Sequence, residues 1–105
     1  MNSRVIAVDF DGCLCGNRWP EIGDANKSAI STLIRLRNNG VQLILWTCRT
    51  GALLDEAVRW CNGHGLTFDA VNGNLPERIA QYGGDTRKVF ADEYWDDRAR
   101  IVKCW

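Results

Sequence analysis

The sequence is poor in residues on which several kinds of function depend. Its 105 residues include one histidine, two prolines and three lysines, and thirteen basic residues balance thirteen acidic ones. Because neither sign is in excess, no long-range field attracts the protein to nucleic acid or to a membrane surface. The single histidine, His64, stands between two glycines and is typical of a loop rather than of a catalytic base.

Long apolar runs and paired cysteine motifs are also lacking. No apolar stretch approaches the ~20 residues that a membrane span needs, and the run Val5–Val8 is too short for a signal peptide. The cysteines are odd in number and contain no Cys-x-x-Cys pair, so a zinc site is not predicted. We expect a cytoplasmic protein without membrane association whose cysteines are reduced. They are Cys13, Cys15, Cys48, Cys61 and Cys104.

Strand-like and helix-like segments alternate along the chain. The apolar pattern predicts strands at Arg4–Val8, Val41–Trp46, Phe68–Val71 and Val89–Trp95. It predicts a first helix that is capped by Asp24 or Asn26 and stopped by Asn38-Asn39-Gly40, and further helices at Leu53–Cys61, Pro76–Tyr82 and Asp97–Lys103. Glycines and a proline interrupt residues 13–24, which predicts a loop. The alternation favours one α/β domain over residues 1–105. We predict a Rossmann-like three-layer sandwich without a large cap, with about four parallel strands in the order 3-2-1-4.

Two aspartates follow the first predicted strand directly. Asp9 and Asp11 flank Phe10 and lead into a glycine turn. Because a strand has a period of two, both carboxylates tend toward the same side as the chain leaves the sheet. Carboxylates at that spacing repel each other unless a cation or a proton lies between them. The pair therefore indicates a divalent metal site, or a nucleophile beside an acid/base group; a plain Asp-Gly turn is the structural alternative.

A hydroxyl group follows the second predicted strand. Thr47 and the next backbone N–H groups precede a predicted helix, where they can hold a phosphate oxygen. The alternative role for Thr47 is to cap that helix. Cys48-Arg49 is not a tyrosine-phosphatase loop, since that loop needs five residues between its cysteine and its arginine.

A second pair of aspartates follows the last predicted strand. Because parallel strands present their carboxyl ends at one edge, Asp96 and Asp97 are expected near Asp9 and Asp11. Four carboxylates at one place need both Mg²⁺ and a lysine side chain to balance their negative charge. Lys88 precedes this strand and is the candidate lysine. A solvated charge run is the alternative for Asp96-Asp97-Arg98.

These ordered pieces resemble the haloacid dehalogenase (HAD) superfamily of aspartate-nucleophile phosphohydrolases. The pieces are Asp9-Phe10-Asp11-Gly12-Cys13-Leu14, Thr47 after an apolar strand, Lys88, and Asp96-Asp97. Their span covers almost the whole chain. The last stretch, from Lys88 to Arg98, is similar to that of 5′(3′)-deoxyribonucleotidases.

The resemblance implies a role for each matching residue. Asp9 would be the nucleophile and Asp11 the general acid/base. Mg²⁺ would bind the Asp9 carboxylate, the Asp11 carbonyl and Asp96, while Asp97 would orient the metal's waters. Thr47, the Cys48 amide and Lys88 would neutralise the phosphoryl oxygens.

The substrate is left open because the sequence has no room for a cap domain. Trp19 in the first loop is a candidate flap or a packing residue, and Asn72, Asn74 and Asp92 are further candidates near the site. We predict a Mg²⁺-dependent phosphatase acting on a phosphorylated small molecule or a nucleic-acid end, with a homo-oligomer as one way to cover the open site. The alternatives are a HAD phosphotransferase or mutase, and an inactive HAD-like binding module.

Overall fold

The computed structural model describes residues 4–103. Along this part of the chain the elements are β1 (Val5–Val8), β2 (Cys15–Arg18), β3 (Glu21–Ala25), α1 (Lys27–Asn38), β4 (Gln42–Leu45), α2 (Gly51–Gly63), β5 (Ala70–Val71), α3 (Pro76–Tyr82) and β6 (Glu93–Trp95). None of its helices is long and apolar enough to cross a membrane. Cys104 lies outside the described residues, so its predicted reduced state stays a prediction.

The main sheet has four strands in the order β5-β4-β1-β6, and each neighbouring pair is parallel. Numbered among the predicted strands, this is the order 3-2-1-4, so the predicted α/β architecture is confirmed. Val8 is level with Leu45 on one side and with Trp95 on the other. The residues that follow these strands therefore emerge side by side at one edge of the sheet.

The central strand β1 is buried along its whole length because both of its faces are covered. Ile6 and Val8 pack with residues of α1 and α2, such as Leu33 and Cys61. Val5, Ala7 and Ile44 face the other way, toward a second cluster with Leu75, Val89 and Ala91. The near-continuous apolar runs of β1 and β4 are what a strand covered on both faces requires.

The bounds of the helices follow local capping chemistry. The side chain of Asn26 accepts a hydrogen bond from the Ala29 N–H at 3.2 Å, so Asn26 rather than Asp24 caps α1. Pro76 occupies the first turn of α3, and Gly83 ends that helix with φ of 77°. The predicted bounds of α3 are confirmed, whereas α2 begins two residues earlier than predicted, at Gly51.

Residues 13–24, predicted as a loop, contain an antiparallel hairpin. β2 pairs with β3, with an irregularity between Cys15 and Asn17. The side chains from residue 16 to residue 21 are exposed, so the segment lacks the apolar alternation that marks a strand in sequence. The backbones approach closely at Gly16 and Gly23, where a Cβ on Gly23 would clash with the Gly16 backbone. The predicted loop is therefore wrong.

Two predictions near the end of the chain also need correction. The fourth strand is shorter than the predicted Val89–Trp95 and begins at Glu93. The predicted helix Asp97–Lys103 is absent, as residues 97–103 contain only a turn and irregular chain. Ile101 and Val102 are 88% and 72% exposed. A short helix without a buried face does not offset its nucleation cost.

Candidate active site

A cavity of about 360 Å³ lies where the carboxyl ends of β1, β4 and β6 meet. Four chain segments form its walls: the turn after β1, the β2–β3 hairpin, the loop after β4 and the chain after β6. Six residues predicted from the sequence line it together: Asp9, Asp11, Thr47, Cys48, Asp96 and Asp97. Asn17, Trp19 and Arg98 complete the lining. The parallel register brings these residues together, although up to 89 positions separate them in the sequence.

Three of the carboxylates form a compact acidic triad. One oxygen each from Asp9, Asp96 and Asp97 lies within 4.8 Å of the others, which is a spacing that a metal ion can bridge. The Asp9 N–H donates to the Trp95 carbonyl at 2.9 Å, so the backbone joins β1 to β6 at this point. Asp9 is half-buried, whereas the other two aspartates are exposed. The expectation that the second pair of aspartates reaches the first is confirmed for Asp9.

The environment of Asp9 works against its ionised form. Burial is the main cause that raises the pKa of Asp9 to about 6, and the charges of Asp96, Asp97 and Asp11 raise it further. The Phe10 N–H acts in the opposite direction by donating to the Asp9 carboxylate at 2.7 Å. This one hydrogen bond does not offset the burial and the neighbouring negative charges, and a cation held by these oxygens would.

Gly12 makes room for the triad. It adopts φ of +84°, and a Cβ at this position would clash with the Asp97 carboxylate. Glycine is thus required both by the left-handed backbone and by the close approach of the chain that follows β6. The Asp-Gly signal in the sequence marks this turn, but only the fold shows which residue approaches it.

The loop after β4 is held by a residue from a neighbouring strand end. The side-chain oxygen of Asn72, just after β5, accepts from the Thr47 N–H at 2.8 Å, and its amide nitrogen donates to the Arg49 carbonyl at 3.3 Å. Thr47 Oγ1 accepts from the Arg49 N–H at 3.2 Å rather than capping α2, whose N-cap is Thr50. The amides of Thr47 and Arg49 are thus engaged within the fold, and Cys48 between them lines the cavity.

Arg49 was not predicted as a site residue, and neither were the lining residues Asn17 and Arg98. The Arg49 side chain is fully buried, and its Nε and Nη2 donate to the two Asp11 carboxylate oxygens at 2.8 and 2.7 Å. The hydrogen bonds to Asp11 are the main cause that raises the pKa of Arg49 above its ordinary value. No local signal distinguishes this arginine from the nine others, because its partners are remote in sequence.

Lys88 and Asp92 lie away from the cavity lining. The Lys88 ammonium lies 5.4 Å from the centre of the Tyr94 ring. Asp92 accepts from the Val5 N–H at 2.7 Å, at the amino end of β1 and so at the opposite end of the sheet from Asp9. The structure does not bring Lys88 to Thr47 and Cys48 as predicted, and the basic residue in the lining is Arg98.

The remaining candidates are placed by their contacts. Trp19 lines the cavity, is 55% exposed and lies with its ring centre 5.1 Å from the Arg49 guanidinium, so both the flap and the packing role stay open. Asn74 is buried and binds Asp85, Thr86 and Phe90, so it organises the loop before β6. Burial above all, with Asp9 and other acidic neighbours, raises the pKa of the Cys13 thiol to about 11. This thiol is therefore a poor nucleophile.

Comparison with known proteins gives one informative relative. No family model and no curated protein matches this sequence. A solved structure of a conserved protein coded by a locus from Bacteroides thetaiotaomicron is 45% identical in sequence. The match covers 93% of this chain and 78% of that protein, with a TM-score of 0.83. This chain belongs to the same family as the conserved Bacteroides thetaiotaomicron protein.

Proposed function

We propose that the protein is a Mg²⁺-dependent phosphomonoesterase of the HAD type that uses Asp9 as its nucleophile. One observation carries the proposal. The acidic triad of Asp9, Asp96 and Asp97, with oxygens within 4.8 Å, shares a cavity with the hydroxyl-bearing loop at Thr47 and Cys48. A cation-binding group beside a phosphate-binding loop is the arrangement that phosphoryl transfer requires.

The residues present suit Mg²⁺. This ion prefers oxygen ligands and usually keeps several of its waters, so one or two carboxylates suffice. The carboxylates of Asp9 and Asp96 and the carbonyl of Asp11 would hold it, and Asp97 would accept hydrogen bonds from its waters. When bound, Mg²⁺ supplies the positive charge that offsets repulsion between the carboxylate and the phosphate.

Asp9 and Asp11 divide the chemistry between them. An Asp9 carboxylate oxygen attacks phosphorus, a bond forms to that oxygen, and the bond from phosphorus to the ester oxygen breaks. Asp11 takes up a proton from solvent, passes it to the leaving oxygen and returns to its carboxylate form. It then takes a proton from the water that attacks phosphorus, while the bond from phosphorus to the Asp9 oxygen breaks, so that inorganic phosphate leaves and Asp9 is restored. The ion pair with Arg49 engages one lone pair on each Asp11 oxygen, and a second lone pair on each stays available.

The phosphoryl oxygens need donors on the side opposite the carboxylates. Thr47, which carries a hydroxyl, and Cys48, which offers a backbone amide, line the cavity, and Arg98 is the basic residue of the lining. We propose that these three groups hold the transferred phosphoryl group. Lys88, the lysine implied by the family resemblance, would have to move from Tyr94 to take part.

The experiment is a phosphate-release screen with purified protein. Phosphorylated metabolites and oligonucleotides with 3′- or 5′-phosphates are offered with Mg²⁺, with EDTA, and to the Asp9→Asn variant. Turnover that requires both Mg²⁺ and Asp9, together with a mass gain of one phosphoryl group on acid-quenched protein, supports the proposal. Asp24→Asn, on β3 and outside the cavity lining, is the matched control. Equal turnover by wild type and Asp9→Asn would rule Asp9 out as the nucleophile.

A further inference from the structure

We infer that Arg49 is a positioning residue that fastens the β2–β3 hairpin to Asp11 and thereby fixes three walls of the cavity. Its effect on catalysis rests on the proposed function, whereas the fastening rests on contacts alone.

The donors of Arg49 are committed to the protein itself. Besides the two bonds to Asp11, Nη1 donates to the Pro20 carbonyl at 3.2 Å and Nη2 to the Glu21 carbonyl at 3.1 Å. Four of the five N–H donors of a guanidinium group are thus used within the fold. Arg49 follows Thr47 and Cys48 directly, a position that suggests phosphate binding, but its donors point into the protein.

The bonds of Arg49 join the segments that form the cavity. Asp11 belongs to the turn after β1, Pro20 and Glu21 to the hairpin, and Arg49 itself to the loop after β4. Each of these segments contributes lining residues. The placement of Asp11 relative to Thr47 is therefore set by the planar guanidinium group of Arg49, whose N–H donors have fixed directions.

The base of the hairpin is held by core packing of Cys15, Ile22 and Ala25, whereas its tip depends on the contact with Arg49. Side chains 16–21 are all exposed, so the tip buries little apolar surface of its own. The Arg49 guanidinium lies 5.1 Å from the centre of the Trp19 ring and 5.0 Å from that of Phe10. It is thus stacked between the exposed Trp19 and the buried core. Without Arg49, the described residues of the tip keep few contacts with the other walls of the cavity.

A purely structural ion pair is the competing explanation. Buried pairs are weak evidence for stability, because their desolvation offsets most of the attraction. A structural pair would change the melting temperature without a selective effect on the hairpin or on turnover of the folded protein. A positioning pair would lower kcat while leaving substrate and metal binding nearly unchanged, since a displacement of ~1 Å can cost ~100-fold in rate.

The test compares two variants. Arg49→Lys keeps the positive charge but loses the planar guanidinium group, and Arg49→Met keeps only an apolar side chain. Arg37→Lys is the matched control, because Arg37 also bridges remote segments by donating to Asp69 at 3.2 Å, outside the cavity lining. For each variant we measure kcat, KM, the Mg²⁺ requirement, thermal unfolding and amide hydrogen exchange of residues 16–21.

For both Arg49 variants we expect kcat to fall ~10–100-fold, with KM and the Mg²⁺ midpoint changed by less than ~3-fold. Exchange at residues 16–21 should be at least ~10-fold faster, and Arg37→Lys should match wild type in both readouts. If Arg49→Met does not fold, Arg49→Lys decides alone, since it keeps the buried charge.

Three results would overturn the inference: kcat within threefold of wild type in a folded variant, a selective rise in KM, or unchanged exchange at the hairpin. The second would make Arg49 a substrate-binding residue. If wild type turns over no phosphoester, the proposed function fails. Amide hydrogen exchange of residues 16–21 then tests by itself whether Arg49 fastens the hairpin. Faster exchange in Arg49→Lys then supports it, and equal exchange refutes it.

Discussion

Removing one charge from the acidic triad should stabilise the metal-free protein. Two unit charges at 4.8 Å, the upper limit of the oxygen separations in the triad, repel by ~0.9 kcal/mol at the dielectric constant of water and by ~3.5 kcal/mol at an effective value of ~20. Asp96 is exposed, so the lower figure applies, and salt at ~0.15 M reduces it by about half. Asp96 and Asp97 are sequence neighbours that also repel each other in the unfolded chain. The repulsion between Asp9 and Asp96 is therefore what folding adds.

The substitution Asp96→Asn should raise the stability of the metal-free protein by ~0.5 kcal/mol, which is an increase of about 2–4 °C in melting temperature. Asparagine keeps the oxygen that accepts from the Arg98 N–H at 2.9 Å, so the local turn is preserved. The measurement is thermal unfolding in EDTA at a pH well above the Asp9 pKa of about 6. Asp24→Asn, which changes the net charge equally but lies outside the triad, should shift the melting temperature less.

Adding Mg²⁺ should reverse the order of stability. A ligand that binds only the folded state at 100 times its Kd stabilises it by ~2.7 kcal/mol, and Asp96→Asn removes a ligand on which this gain depends. Wild type should therefore gain more from Mg²⁺ than the variant. If Asp96→Asn melts at a lower temperature than wild type in EDTA, the triad is not destabilised by charge repulsion. If Mg²⁺ raises the melting temperature of both proteins equally, Asp96 is not a metal ligand.

Three further predictions concern the same cavity. Asp9→Asn should lower turnover at least ~10³-fold with its unfolding unchanged, because an amide is a poor nucleophile; steady-state kinetics after mass spectrometry has excluded deamidation checks this. Arg98→Ala should lower kcat at least ~10-fold and Lys88→Ala much less, since only Arg98 lines the cavity; the reverse order would restore Lys88 as the phosphate ligand. In metal-free wild type, Asp9 favours the fold while protonated, since its folded pKa of about 6 exceeds its ordinary value of 3.8. Its contribution is lost as pH rises through that window, so wild type should lose stability relative to Asp9→Asn between about pH 4 and pH 6; parallel melts would contradict this.

Local pattern was sufficient to predict the sheet and most of the residues around the cavity. The apolar runs of β1 and β4 are long enough to require cover on both faces, and parallel strands place their carboxyl ends at one edge. Residues that follow those ends, such as Asp9, Thr47 and Asp96, were therefore predictable as neighbours. The capping chemistry of Asn26 and the bounds of α3 are equally local.

Contacts between remote segments were decided by the tertiary structure alone. The hairpin has exposed side chains, so its pairing is not encoded in an apolar pattern. The helix predicted at Asp97–Lys103 does not form, and the apolar residues Ile101 and Val102 in this segment are exposed. Lys88 lies beside the Tyr94 ring and is not among the residues that line the cavity.

Arg49 and Asn72 show most clearly which features the sequence determined and which the tertiary structure decided. The sequence by itself determined where the strands end and which reactive groups follow them, because strand length and polarity are properties of contiguous residues. It could not determine that the Arg49 guanidinium group binds Asp11, 38 positions away, or that Asn72 holds the loop of Thr47 from 25 positions away. A buried guanidinium and a bridging amide depend on which acceptors the completed fold brings within hydrogen-bond distance, and that is settled only when the sheet, the hairpin and the loops pack together.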